Sequence, residues 1–140
     1  MSAVIPDSHK ALLEEPVYIT LATVMPNGQP QASVVWCSYD GEYVLVNTVR
    51  GRQKEKNMRE RRMATILAVD PKDPYHFLEI RGVVEEITEK GGVDHINQLA
   101  QAYVNKSKYY GDYVPAERAQ QEVRVICKIK PQKVNVYPAA

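Results

Sequence analysis

The chain has 140 residues, 44% hydrophobic and 25% charged, with a formal net charge of +1. That is the balance of a soluble globular protein with one core, and near-neutrality argues against a dedicated nucleic-acid binder. No apolar run is long enough to span a membrane, no signal peptide opens the chain, and two cysteines, Cys37 and Cys127, make no disulfide framework. The expectation is a cytoplasmic protein, one domain over residues 1–140, with both thiols free and buried.

In chain order, residues 7–15 read as a short helix capped by Asp7, with Leu12 and Leu13 inward and Pro16 as its stop. Residues 17–25 are β-branched and read as a strand, and Pro26-Asn27-Gly28 as a tight hairpin turn into residues 31–39. Alternation puts Gln31, Ser33, Val35 and Cys37 on one side of that second strand, and Ala32, Val34, Trp36 and Ser38 on the other. Trp36 is expected in the core. The mixed polar side either faces solvent or holds a flat ring whose carbonyls and nitrogens meet the polar groups.

Asp40-Gly41 turns the chain into a third strand, residues 42–48. After a basic helix come a strand over 63–69, a loop at Pro71, Asp73 and Pro74, and a long strand over 75–87 with Gly82 as a bulge or barrel corner. Gly91-Gly92 precedes a helix over 93–104, with Val93, Ile96, Leu99, Ala100 and Tyr103 as its buried stripe. Residues 105–119 are a polar loop or helical excursion carrying Tyr109, Tyr110 and Tyr113. Strands follow over 121–129, ended by Pro131, and over 134–137. The chain is therefore mainly β (α+β), an antiparallel barrel, closed or partly closed, with helices outside.

The segment 47–62, NTVRGRQKEKNMRERR, holds seven cations against two acids, a local +5 that leaves the rest of the chain at −4. Glu55 with Arg59, and Lys56 with Glu60, stand four apart and are expected to pair, leaving Arg50, Arg52, Lys54, Arg61 and Arg62 over. Gly51 allows a tight turn, and Arg52 and Lys54 then fall at a helix start, where free N–H groups and the dipole favour an anion. Lys54 and Asn57 are three apart and share a face. This is not a Walker P-loop. Without a ligand, the same segment is a solvated basic helix.

Other chemistry has little support. There is no nucleophile elbow, Cys37 has no histidine partner visible in sequence, and His9, His76 and His95 lack metal-ligand spacing. Glu85 and Glu86 are strand neighbours and point to opposite faces. No catalytic residue and no metal site is assigned.

The pieces TLATVMPNGQPQ, VW, NTVRGRQKEKNMR and LEIRGVVE, taken in order, resemble the split β-barrel flavin and deazaflavin proteins related to pyridoxamine 5′-phosphate oxidase, and more narrowly their small F420-dependent reductases. The resemblance covers residues 20–82 and the C-terminal strands. It implies a split antiparallel β-barrel of about six to seven strands with Greek-key topology and about three helices, forming a homodimer with two cofactor sites at its interface. Arg52 and Lys54 match positions that grip the cofactor phosphate, and Asn57 a further polar contact. Gln31, Ser33, Val34 and Val35 match the strand that meets the ring, Asn47 and Thr48 the strand end beside the cofactor, and Tyr75 an often aromatic position near the site. The implied activity is hydride transfer between reduced F420 and an unsaturated small-molecule acceptor, with the proton from solvent or from Tyr109, Tyr110 or Tyr113. FMN on the same scaffold is the alternative cofactor. A non-enzymatic cofactor carrier, or a module whose basic helix meets an acidic partner or nucleic acid, is the other alternative. Nucleic acid and membrane partners are not expected.

Overall fold

A computed structural model describes residues 3–139. Seven strands form one antiparallel sheet: β1 (Ile19–Val24), β2 (Pro30–Val35), β3 (Cys37–Tyr39), β4 (Val44–Val49), β5 (Met63–Asp70), β6 (Asp73–Thr88) and β7 (Arg124–Tyr137). Three α-helices flank it: α1 (Ala11–Glu14), α2 (Gln53–Glu60) and α3 (Gly92–Val104). The strand order is β2-β1-β5-β6-β7-β4-β3, so β1–β5 and β7–β4 are crossovers rather than chain neighbours. The outer strands β2 and β3 are separated by Trp36 alone. A chain that passes from one edge of a sheet to the other in one residue requires the sheet to curl until its edges meet. The expected split barrel is therefore observed, with Trp36 on its seam.

Inward-facing residues alternate along the strands and build a single core. Ile19 and Leu21 of β1, Val44 and Val46 of β4, Ile66 of β5, Leu78 and Ile80 of β6, and Val125, Cys127 and Ile129 of β7 are essentially inaccessible. Met58 from α2 and Ile5, Leu12 and Leu13 from the N-terminal segment join the same cluster. Both cysteines are buried and free, as expected.

Gly82 marks a register shift in the β6–β7 pairing. A Cβ there would stand 2.6 Å from Ile129 Cγ2 and 2.9 Å from the Lys130 carbonyl oxygen, so the two long strands cross closely only because this residue has none.

Several expectations need correction. The last two expected strands are one. Pro131 does not end β7: it faces Gly82 at the register break, the kind of irregularity at which a sheet tolerates proline. The strand expected over 31–39 is interrupted at Trp36, which is half-buried on the seam and not in the core. Val93 lies outside the buried stripe of α3 at 52% exposure, and His95 takes its place beside Ile96, Leu99 and Ala100. The N-terminal helix is a 3-10 turn (Asp7–His9) followed by α1, and Asp7 pairs with Lys10 instead of capping. Residues 109–113 form a non-helical turn that packs on α3 and on a 3-10 turn over Ala116–Gln120.

Candidate functional site

The head of α2 is built by Glu55. Its side chain is fully buried and accepts the Gly51 N–H at 2.9 Å, which closes the turn before the helix. Gly51 adopts φ 92°, a region that favours glycine. Arg50 at 3.2 Å and Arg59 at 2.9 Å neutralise the same carboxylate. Burial opposes its charge, but these cations and the backbone N–H outweigh it and hold Glu55 below the ordinary carboxylate range. The Glu55–Arg59 pair is the expected one.

The rest of the charge tally differs from expectation. Lys56 and Glu60 do not pair, because Glu60 takes Arg61 at 3.3 Å. Arg61 is not left over either, since it donates to the Val24 carbonyl at 2.7 Å and to Asn57 Oδ1 at 3.1 Å. Arg50 is consumed by Glu55 and Glu89.

What α2 presents is Arg52 and Lys54. Both line a cavity of about 260 Å³ shared with Val34, Val35, Asn47 and Thr48. These are six of the residues singled out from sequence, arriving from β2, β4 and the start of α2. Lys54 forms no ion pair among the described residues. Burial first, then the charge of Arg52, lowers its pKa, so it holds an uncompensated and partly desolvated cation. Thr48 is 1% exposed, and its hydroxyl has no hydrogen-bond partner among the described residues. A buried hydroxyl without a partner beside an uncompensated cation is a site ready for a polar, anionic ligand.

The other four singled-out residues do not line this cavity within one chain. Asn57 is fully buried, donating to Thr23 Oγ1 at 3.0 Å and accepting from Gln53 at 2.8 Å. Gln31 accepts the Thr23 hydroxyl at 2.8 Å. The two therefore brace α2 to β1 and β2. The Ser33 hydroxyl is buried without a partner among the described residues. Tyr75 is 69% exposed at the start of β6, its ring 6.3 Å from that of Tyr137.

Of the opposite wall, sequence reasoning named Tyr109 and Tyr113, as candidate proton donors, and missed the rest as site residues. Arg124, Tyr18, Trp36, Ile96, Leu99, Tyr109 and Tyr113 complete the cavity. Arg124 is 5% exposed and donates to the Tyr110 hydroxyl at 2.8 Å, Asn47 Oδ1 at 3.3 Å and Glu122 at 3.2 Å, with its guanidinium 4.5 Å from the centre of the Tyr109 ring. Its only signal was a lone cation at the start of an apolar strand. Asn47 is fixed further by donating to the Gly92 carbonyl at 2.8 Å and to His95 Nδ1 at 3.2 Å. Nδ1 then accepts, so Nε2 carries the proton and donates to Ser38 Oγ at 2.9 Å. Burial pushes the His95 pKa down to about 4 and keeps the ring neutral. With its proton on the nitrogen facing Ser38, His95 is not placed as a base toward that hydroxyl. Burial likewise pushes the Cys37 thiol up to about 11 and Cys127 to about 12, so neither is a thiolate nucleophile. Among the described residues no cluster of His, Cys, Asp and Glu is arranged for a metal, and no helix is long and apolar enough to cross a membrane.

Among solved structures, the chain is similar to an F420 reductase at 32% identity, with a TM-score of 0.80, covering 94% of this chain and 98% of that one. A conserved hypothetical protein from Mycobacterium tuberculosis aligns at 22% identity with a TM-score of 0.69, covering 97% of this chain and 86% of that one. The heme storage protein HutZ from Vibrio cholerae aligns at 18% identity with a TM-score of 0.65, covering 99% of this chain and 98% of that one. At these identities the last two share the fold alone. No curated protein matches the chain. The sequence signature of the pyridoxamine 5′-phosphate oxidase family matches residues 5–137. With nearly its whole length accounted for by that signature, and its barrel and cavity formed by the same residues, the chain belongs to the pyridoxamine 5′-phosphate oxidase family.

Proposed function

We propose that this protein is an F420-dependent reductase that moves a hydride between the reduced deazaflavin and an unsaturated organic acceptor. The observation that carries this reading is one cavity lined by Arg52 and Lys54 together with the exposed Val34 and the half-buried Val35. In this reading Arg52 and Lys54 hold the cofactor phosphate. Val34 and Val35 give the ring a flat apolar surface, and Asn47 and Thr48 meet its polar atoms. The unpartnered Thr48 hydroxyl and the unpaired Lys54 ammonium fit such a group. Trp36, Tyr109 and Tyr113 wall off water at the acceptor end. The bound deazaflavin supplies the hydride, and the protein supplies position and a dry, cationic surrounding. The similarity to an F420 reductase at 32% identity supports this choice of cofactor.

The chain acts in this reading as one cofactor-binding domain, paired with a second copy. The outer face of β1, β5 and β6 supports pairing. Met63, Leu67 and Val83 are exposed there at 54%, 37% and 39%, and a shallow concavity is lined by Thr20, Ala22, Thr65, Leu67, Phe77 and Glu79. An apolar face of this kind favours burial against another copy. Gln31, Ser33, Asn57 and Tyr75 remain proposed cofactor residues, Tyr75 across the pair and Asn57 through its support of α2.

FMN is the second reading, favoured by the family signature. Titration of the purified protein with F420 and, separately, FMN distinguishes the two, with quenching of cofactor fluorescence as the signal and Lys54→Ala as control. Preferential F420 binding that the variant loses is the expected result. FMN preference transfers the protein to the flavin branch, and binding of neither overturns both readings.

A further inference from the structure

We propose that Glu122 is a built-in counter-anion for Arg52, a specificity-determining carboxylate that a phosphate-type ligand displaces on entering the cavity. This rests on the reading that the cavity takes an anionic cofactor, and it adds what sets the threshold for entry.

Glu122 lies just before β7 and is 14% exposed at its side chain. Its Oε2 accepts from Arg52 at 3.2 Å, while its Oε1 accepts from the Tyr110 hydroxyl at 2.7 Å and from Arg124 at 3.2 Å. Burial alone would raise its pKa. The Tyr110 hydroxyl, Arg124 and Arg52 outweigh that and hold it below the ordinary carboxylate range, so it is ionised. One carboxylate is therefore shared by two guanidinium groups.

The two halves of this bridge are unequal. The Arg124 side chain is 4% exposed and is also fixed by Tyr110, Asn47 and the Tyr109 ring. Arg52 is 45% exposed at its side chain and meets Glu122 through one nitrogen. A single half-exposed ion contact contributes little and is easily exchanged. When Arg52 leaves, Glu122 keeps Tyr110 and Arg124, so no bare carboxylate is left in a partly buried place. The exchange is cheap in one direction only, toward a ligand that offers Arg52 more than one carboxylate oxygen does. The planar fork of arginine bonds a phosphate through two parallel N–H groups. A phosphate or pyrophosphate group meets that demand and also reaches Lys54, whereas a simple carboxylate merely replaces one like itself. Glu122 thus admits multiply charged phosphate groups and turns away small monoanions.

The test is calorimetric titration of the full chain with inorganic pyrophosphate and with acetate, in wild type, Glu122→Gln, Arg52→Gln and the double variant. The isosteric Glu122→Gln keeps an acceptor for Tyr110. The expected result is a gain in pyrophosphate affinity of roughly three- to tenfold from removing one nearby negative charge, together with acetate binding that wild type lacks. The gain should vanish when Arg52→Gln is combined with it. Should Glu122→Gln fail to fold, Glu122→Asp carries the same test. It keeps the charge beside Arg124 but withdraws it from Arg52 by one methylene, so a smaller gain in the same direction is expected. Pyrophosphate binding to wild type with no gain, or a loss, in the variant overturns this proposal and leaves the anionic site standing. Absence of binding in both overturns the anionic site and the proposal together.

Discussion

Trp36 stacks on Tyr103, with ring centroids 5.4 Å apart and planes 14° apart, at the point where the chain crosses from one edge of the sheet to the other. The Tyr103 hydroxyl accepts the Cys37 N–H at 3.1 Å and donates to the Val17 carbonyl at 2.8 Å. α3 therefore clamps the seam and sets the ring that walls the cavity. Tyr103→Phe keeps the ring and orphans both backbone groups, so a loss of roughly 1–3 kcal/mol in stability is expected. Denaturant unfolding measures it. Trp36 is the only tryptophan in the chain, and its emission should shift in the folded variant. An unchanged spectrum would separate the seam from the cavity.

Lys54 carries its charge into the cavity with no carboxylate beside it. Lys54→Ala removes an unfavourable burial and no native ion pair, so the melting temperature should hold or rise slightly. Affinity for the phosphate-bearing cofactor should fall roughly ten- to a hundredfold, the worth of a charge-assisted hydrogen bond. Titration and thermal melting of the same sample decide it. A protein that melts early and binds normally would remove Lys54 from the site.

Asn57 should behave in the opposite way. Buried fully, it joins Thr23, Met25, Gln53 and Arg61 through its amide. Asn57→Ala leaves several of these polar groups unpaired and costs roughly 2 kcal/mol or more. Thermal melting should show the loss directly, and cofactor affinity should fall only as far as the head of α2 loosens. Equal stability with lost binding would make Asn57 a direct ligand.

The contrast between Lys54 and Asn57 shows what was legible in the sequence. Residue types and helical spacing put both on α2, and the turn at Gly51 placed Arg52 and Lys54 at its head. Spacing within a helix cannot tell which side the barrel covers, so it did not show that Asn57 is buried against β1, where its amide joins Thr23 and Gln53. Trp36 was misplaced for a related reason. Alternation assumes an unbroken strand, and only closure of the sheet puts a seam there. Arg124 was invisible because its role depends on pairing with Val49 across β4 and β7, a contact between segments 75 residues apart that no local pattern encodes.

Two histidines should give opposing pH dependences. His76 Nδ1 faces Asp70 Oδ2 at 3.0 Å and Nε2 faces the Ser8 carbonyl at 3.1 Å. Both partners only accept, so the doubly protonated ring satisfies both of them, and the Asp70 bond raises the pKa of the ring. Its folded pKa lies above its unfolded one. The contribution is therefore complete below the unfolded value, near 6.5, and is lost as pH rises through the folded value. His95 is the reverse, with a folded pKa pushed down to about 4 by burial. The unfolded chain then binds the extra proton between about pH 6.5 and 4, and stability falls with acidity across that window. His95→Gln should flatten the acid limb of a stability-against-pH curve, and His76→Gln should lower the curve at pH 5 more than at pH 9. Parallel curves for either variant would refute its assignment.

Gly92 ties the helix to the cavity wall. It opens α3 directly over β7, where an added Cβ would press into the carbonyl oxygen and carbon of Arg124, and its own carbonyl accepts from Asn47. Neither neighbour is a flexible side-chain tip, so the strain must move backbone. Gly92→Ala should therefore destabilise the protein by about 1–3 kcal/mol, as overpacking does. The same shift should draw Arg124 and Asn47 away from the cavity, because both are anchored at this contact. Cofactor affinity in the folded fraction should fall as well, at temperatures well below the melt. Gly91→Ala provides the comparison. A Cβ there meets only the tip of Ile126 at 3.8 Å, and the cost is local strain at φ 77°. Stability should drop in both variants, but binding at full folding should drop in Gly92→Ala alone. Equal binding losses in the two would mean that the cavity responds to the helix turn in general and not to the contact with Arg124.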